Sequence, residues 1–68
     1  MAISVIINGS RREIEPGLNV QDLLELLAIN SGPVAVEVNS DIVPRSQHSS
    51  HRLQANDNIE IVQAIGGG

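Results

Sequence analysis

No Phe, Tyr, Trp or Cys occurs anywhere in the 68 residues. That absence constrains the fold more than any other feature, because it leaves only Val, Ile, Leu and Ala to build a core. A chain this short lies near the lower limit at which a single hydrophobic core offsets chain entropy without a metal or a crosslink. Large aromatic surfaces are missing and disulfides are ruled out, as are thiolate metal sites and thiol nucleophiles. Apolar residues make up 41% of the chain, so these branched aliphatics must be placed efficiently in one domain.

Their placement is periodic. Ile3, Val5 and Ile7 alternate as one face of a strand, and Asn8-Gly9 follows as the strongest short signal for a hairpin turn. A return strand then runs through Arg12 to Glu15 with Ile14 inward, and Pro16-Gly17 ends it. Asn19 is placed to cap a helix, with Asp22 in the capping-box position and Leu18 and Leu23 as a hydrophobic staple. Val20, Leu23, Leu24 and Leu27 form a helical stripe, and the spacing predicts a helix from Val20 to Ile29, stopped by Asn30, Ser31, Gly32 and Pro33.

Beyond the helix, Val34, Val36 and Val38 alternate with Ala35 and Glu37 as a half-buried strand. Asn39-Ser40-Asp41 turns the chain into a short Ile42-Val43 segment that Pro44 confines to an edge or an ending. The stretch from Arg45 to Asn56 is polar and irregular, with Leu53 as its anchor to the core. Asp57-Asn58 turns the chain again. Ile59 and Ile61, extended by Gln63, then share one face of a last strand, with Glu60, Val62 and Ala64 on the other, and Ile65 leads into Gly66, Gly67 and Gly68.

The order hairpin, helix, strand, short strand, strand describes an α+β, β-grasp (ubiquitin-like) architecture. A mixed sheet of four to five strands folds over one helix, with the first and last strands as a central parallel pair. One side of that sheet is covered by the leucine stripe and the other is left open for partners. Residues 1–65 are expected to form the domain and 66–68 a flexible glycine tail.

Charge and composition narrow the function. Eight acidic residues against four arginines give a net charge of −4, which disfavours phosphate backbones, and there is no Phe, Tyr or Trp ring for bases to stack on. Nucleic acid is not an expected partner. Apolar runs are too short to cross a bilayer, and the first residues show no basic segment followed by a long apolar stretch, so no membrane is expected and a cytoplasmic location is. The absence of lysine removes any side-chain amine for isopeptide linkage, which argues against a chain-forming modifier. His48 and His51 lie in a Ser-rich loop without a third ligand and read as a solvated loop, with no metal expected. Arg11, Arg12 and Arg45 read as exposed residues that keep a strand edge soluble.

At this point the sequence resembles the ThiS family of sulfur carriers. The residues that carry the likeness are Asn8-Gly9, the Val20 to Leu27 helix, Val36-Glu37-Val38-Asn39, Ile42-Val43-Pro44-Arg45, and Ile59-Glu60-Ile61-Val62 followed at the end by Gly67-Gly68. Asn56-Asp57-Asn58 stands where Gly-Asp is common in the family, a mild departure because Asn tolerates a left-handed backbone. The resemblance implies that a ubiquitin-activating-like (ThiF-type) adenylyltransferase uses ATP to adenylate the Gly68 carboxylate. A sulfur donor such as a cysteine desulfurase then supplies sulfur to leave a thiocarboxylate, and a ThiG-type thiazole synthase takes that sulfur for thiamin. On this reading the chain binds no cofactor and is a co-substrate rather than an enzyme.

The residue chemistry agrees with that role. A carboxylate is a poor electrophile until it becomes a mixed anhydride with AMP, and no side chain here forms a recognisable catalytic triad, so catalysis must come from the activating enzyme. Glycines thread narrow channels, and Gly66 to Gly68 in extended form reach roughly 10 Å past the last strand. Val62, Ala64, Ile65, Gly66 and Gly67 are the expected partner-binding residues, with Gly68 as the reacting group. Two other readings remain: a carrier of the same chemistry for molybdopterin synthesis, and a non-covalent β-grasp interaction domain with an incidental glycine tail.

Overall fold

A computed structural model describes residues 1–29 and 32–63. Among the described residues, five strands form one mixed sheet in the order β2-β1-β5-β3-β4. The strands are β1 (Ile3–Ile7), β2 (Ser10–Ile14), β3 (Val34–Val38), β4 (Asp41–Ile42) and β5 (Asn58–Gln63), with helix α1 (Val20–Leu26) after β2 and a 3-10 turn at Arg45–Gln47. β1 and β5 are the parallel pair at the centre, and every other pairing is antiparallel. This is the β-grasp arrangement expected from the order of elements.

Two two-residue turns build the hairpins. Asn8 and Gly9 have φ of 49 and 85° between the paired Ile7 and Ser10. Asn39 and Ser40 have φ of 53 and 73° between the paired Val38 and Asp41. Positive φ at both central residues matches the right-handed twist of the flanking strands. Asn56 also has a positive φ, 71°, a left-handed backbone that asparagine tolerates.

The helix starts as expected. Asn19 Oδ1 accepts the Asp22 N–H at 2.7 Å, and Asp22 Oδ2 accepts the Asn19 N–H at 3.1 Å, which closes the capping box. The next orphan donors are met by the polar loop. Val20 N–H donates to the His51 carbonyl and Gln21 N–H to the His48 carbonyl, both at 3.0 Å. An irregular segment thus acquires a fixed position because a helix end needs its carbonyls. Leu53, only 4% exposed, is its apolar anchor.

The helix stops earlier than the Val20 to Ile29 span expected. Leu26 is its last residue and Leu27 its C-cap. Ala28 takes a φ of 61°, its N–H donates to the Glu25 carbonyl, and Ile29 N–H donates to the Leu24 carbonyl at 2.8 Å. Those two bonds form a Schellman motif with alanine in the position usually held by glycine. Ile29, folded back by the motif, packs against the core. The return strand likewise ends at Ile14, one residue before Glu15, and the last strand begins at Asn58.

The core is aliphatic throughout. Val5, Val20, Leu23 and Ile59 have no exposed surface, and Val36 has 1%. Each such side chain contributes about 1.5–3 kcal/mol through burial. These residues come from β1, α1, β3 and β5, so the central strands and the helix are tied by one cluster.

Candidate functional site

Alternation along the central strands puts a second set of side chains on the face away from α1. On β5 the exposed Asn58, Glu60 and Val62 alternate with the buried Ile59 and Ile61, and Gln63, the last residue of the strand, is exposed as well. Val62 is 66% exposed and sits opposite Ala35 on β3. One step back along the strand, Glu60 faces Glu37, which in turn faces Ile42 on β4, and Ile42 is 73% exposed. The outer face therefore carries an apolar spot near the end of β5, then a pair of carboxylates, then a second apolar residue.

Facing carboxylates on one sheet face repel each other and disfavour the fold slightly. Their electrostatic need is for a cation, and the four arginines of the chain lie at residues 11, 12, 45 and 52, none of them in β3 or β5. Arg11 is committed elsewhere, donating to Ser4 Oγ at 2.9 Å. A partner that brings both an apolar surface and a positive charge would fit this face.

Of the partner-binding residues expected from the sequence, Val62 is on the open face as anticipated. Ala64, Ile65, Gly66 and Gly67, together with the reactive Gly68, lie outside the described residues. Sequence reasoning put Glu60 on the same strand face as Val62 and Glu37 opposite the inward valines, but it did not bring the two carboxylates together and did not place Ile42 beside them. The signal for them was present in the alternation of β3 and β5, but the register that brings Glu37 opposite Glu60 is a long-range pairing that no local pattern specifies.

The solvated reading of the loop histidines needs correction at His48. Its side chain is only 8% exposed, and its Nε2 lies 3.1 Å from the Val43 carbonyl oxygen. The 3-10 turn at Arg45–Gln47 rolls the loop inward and seats the imidazole beside the helix start. In a chain without aromatic carbocycles this ring supplies planar bulk that an aliphatic cannot. His51 is half-buried, and Arg12 and Arg45 are exposed as expected. Among the described residues no group of three or more His, Cys, Asp or Glu could hold a metal ion.

A hollow of about 280 Å³ lies between α1 and the Arg45–His48 turn, lined by Gln21, Glu25, Arg45 and His48 among others. Among the described residues every buried side-chain polar atom has a hydrogen-bond partner, so no buried polar atom of the hollow is left unpaired. Among the described residues no helix is long and apolar enough to cross a membrane.

The sequence model described as the ThiS family matches residues 5–68. The chain belongs to the ThiS family. It is 33% identical over 66 residues to the sulfur carrier protein ThiS of Escherichia coli K12, covering 97% of this chain and 100% of that one. It superposes on the crystal structure of the thiamine biosynthesis protein ThiS from Geobacter metallireducens with a TM-score of 0.82 at 26% identity, covering 97% of this chain and 100% of the other. A thiazole synthase of Paramagnetospirillum magneticum is 39% identical over 66 residues, and there the chain spans only 20% of the relative's length. As a ThiS-family β-grasp domain, the chain has the last strand, with Val62 on its outer face, running directly into the segment that ends in Gly67-Gly68.

Proposed function

We propose that this ThiS-family chain carries sulfur for thiamin thiazole synthesis on its Gly68 carboxylate. An adenylyltransferase of the ubiquitin-activating kind transfers AMP from ATP to that carboxylate and releases pyrophosphate. The persulfide of a donor such as a cysteine desulfurase attacks the acyl carbon and AMP leaves; a thiol then cleaves the S–S bond of the resulting acyl disulfide, being itself oxidised to a disulfide, and a thiocarboxylate remains. A thiazole synthase then takes the sulfur, and the chain is a co-substrate of both enzymes in the cytoplasm.

The observation that carries the thiazole assignment is the relative from Paramagnetospirillum magneticum. A protein named thiazole synthase contains, within one fifth of its length, a stretch 39% identical to nearly this whole chain. Joining a carrier-like segment to a synthase in one polypeptide holds the two at high effective concentration, which is useful when one acts on the other. That supports a synthase of the same kind as the acceptor here.

Recognition is assigned to the open face. Docking a flexible tail costs ordering entropy at each visit, so the grip should come from the rigid sheet beside it. Val62, with Ala35 and Ile42, supplies apolar contact, and Glu37 with Glu60 selects a partner bearing a cation. Ala64 and Ile65 extend the apolar grip of Val62, and Gly66 and Gly67, without side chains, thread a narrow entrance.

The test is a variant lacking Gly67 and Gly68 in a reconstituted thiazole synthesis. The carrier reading predicts complete loss of product with an unchanged thermal unfolding curve. Retained activity would sink it and favour a non-covalent interaction domain.

A further inference from the structure

The two hairpin turns do a second job, and they do it on the same strand. After Ile7 the chain turns away from β5, and the last main-chain bond from that side runs from Asn8 N–H to the Ile59 carbonyl at 2.9 Å. The Asn8 side chain continues the ladder. Its Oδ1 accepts the Ile61 N–H at 2.8 Å and its Nδ2 donates to the Ile61 carbonyl at 3.2 Å. A primary amide offers the same donor and acceptor as a peptide unit, so one side chain replaces the next residue of a strand that has ended.

Asn39 occupies the matching place in the other turn and holds the other end of β5. Its Oδ1 accepts the Asn58 N–H at 2.9 Å, its Nδ2 donates to Asp57 Oδ1 at 3.0 Å, and its own N–H donates to the Asn58 carbonyl at 2.7 Å. Both asparagines have a left-handed backbone, φ 49° and 53°, which is what lets the side chain reach across to the neighbouring strand. The strand is fastened at its start by Asn39 and near its end by Asn8.

We propose that Asn8 is a positioning residue for the tail. By holding both backbone polar groups of Ile61 it fixes the point of the sheet from which the chain runs on to Gly68. The proposal rests on the carrier reading of Gly68. Six residues lie between Ile61 and Gly68, and the acyl carbon can be presented to the activating enzyme only as well as the strand end from which those residues run is held on the sheet. Small misplacements of a reacting group cost large factors in rate even when binding is intact. Without the amide, Ile61 N–H and C=O must turn to water and the strand opens locally from that end. Asn39 is the built-in control: the same amide, the same turn geometry and the same strand, but at the end remote from Gly68.

Asn8→Gly and Asn39→Gly test this, since glycine accepts the positive φ of either turn. Two measurements are made on each full-length variant: hydrogen exchange of the Ile61 amide, and the steady-state rate of adenylate formation by the activating enzyme. In Asn8→Gly the Ile61 amide should exchange at least about tenfold faster and kcat should fall roughly tenfold, with KM changed less than about twofold. Asn39→Gly should leave Ile61 exchange and kcat within about twofold of the parent. A loss of kcat shared equally by both variants would show a general stability effect and overturn the proposal, as would parental exchange at Ile61 in Asn8→Gly. A parent chain that is never adenylated would instead overturn the carrier reading on which the proposal rests.

Discussion

The two faces of the central strands use the same backbone for opposite purposes. Toward α1, Val5, Val36, Ile59 and Ile61 are 8% exposed or less. Away from α1, Val62 and Ile42 are 66 and 73% exposed, and two carboxylates face each other between β3 and β5. The covered face is chosen for packing and holds the domain together. The open face keeps a repulsive pair and exposed aliphatics that do nothing for the fold, which is the pattern of a surface retained for a partner.

That contrast can be broken most directly by exchanging insults. Leu23→Ala removes a fully buried side chain and should lower stability by about 2–5 kcal/mol, measured by urea denaturation. Val62→Asp should change stability by less than about 0.5 kcal/mol yet raise KM for the activating enzyme. Equal destabilisation by the two would show that Val62 is part of the core.

His48→Ala tests whether the loop belongs to the covered side. It strips a buried ring and leaves the Val43 carbonyl without that partner, at an expected cost of about 1–3 kcal/mol in thermal or chemical unfolding. An unchanged unfolding midpoint would return His48 to the solvated class.

Two smaller effects should be gains. Ala28→Gly relieves the left-handed φ of 61° in the Schellman motif and should raise stability by about 1 kcal/mol. Glu60→Arg turns the facing carboxylates into an opposite-charge pair and should raise stability by about 0.2–1 kcal/mol while weakening adenylation. Stability and activity moving in opposite directions at residue 60 would sharpen the distinction between the faces. A variant that is more stable and equally well adenylated would remove Glu60 from the docking surface.

Features set by neighbours in the chain were legible from the sequence. Asn8-Gly9 specified a hairpin, Asn19 and Asp22 specified the helix start, and the alternation of Val34, Val36 and Val38 specified a face. The features that escaped are set by residues distant in sequence or by a backbone state without its usual residue. Alanine at position 28 hides a helix stop that glycine would announce. His48 is buried because a loop closes over the helix start, where the Gln21 N–H needs the His48 carbonyl. Asn8 reads as a turn residue, and its hold on Ile61 spans 53 positions. At the candidate site, Val62 could be placed by alternation, whereas the Glu37 and Glu60 pair needed the register of the sheet.

The measurement that bears most directly on the central claim is the intact mass of the chain after incubation with ATP, the activating enzyme and a sulfide source, beside a variant lacking Gly68. The carrier account predicts a shift equal to replacing one carboxyl oxygen by sulfur, present in the full chain and absent in the variant. With an enzyme shown to be active on another carrier, a full chain bearing neither that shift nor an AMP adduct would contradict it.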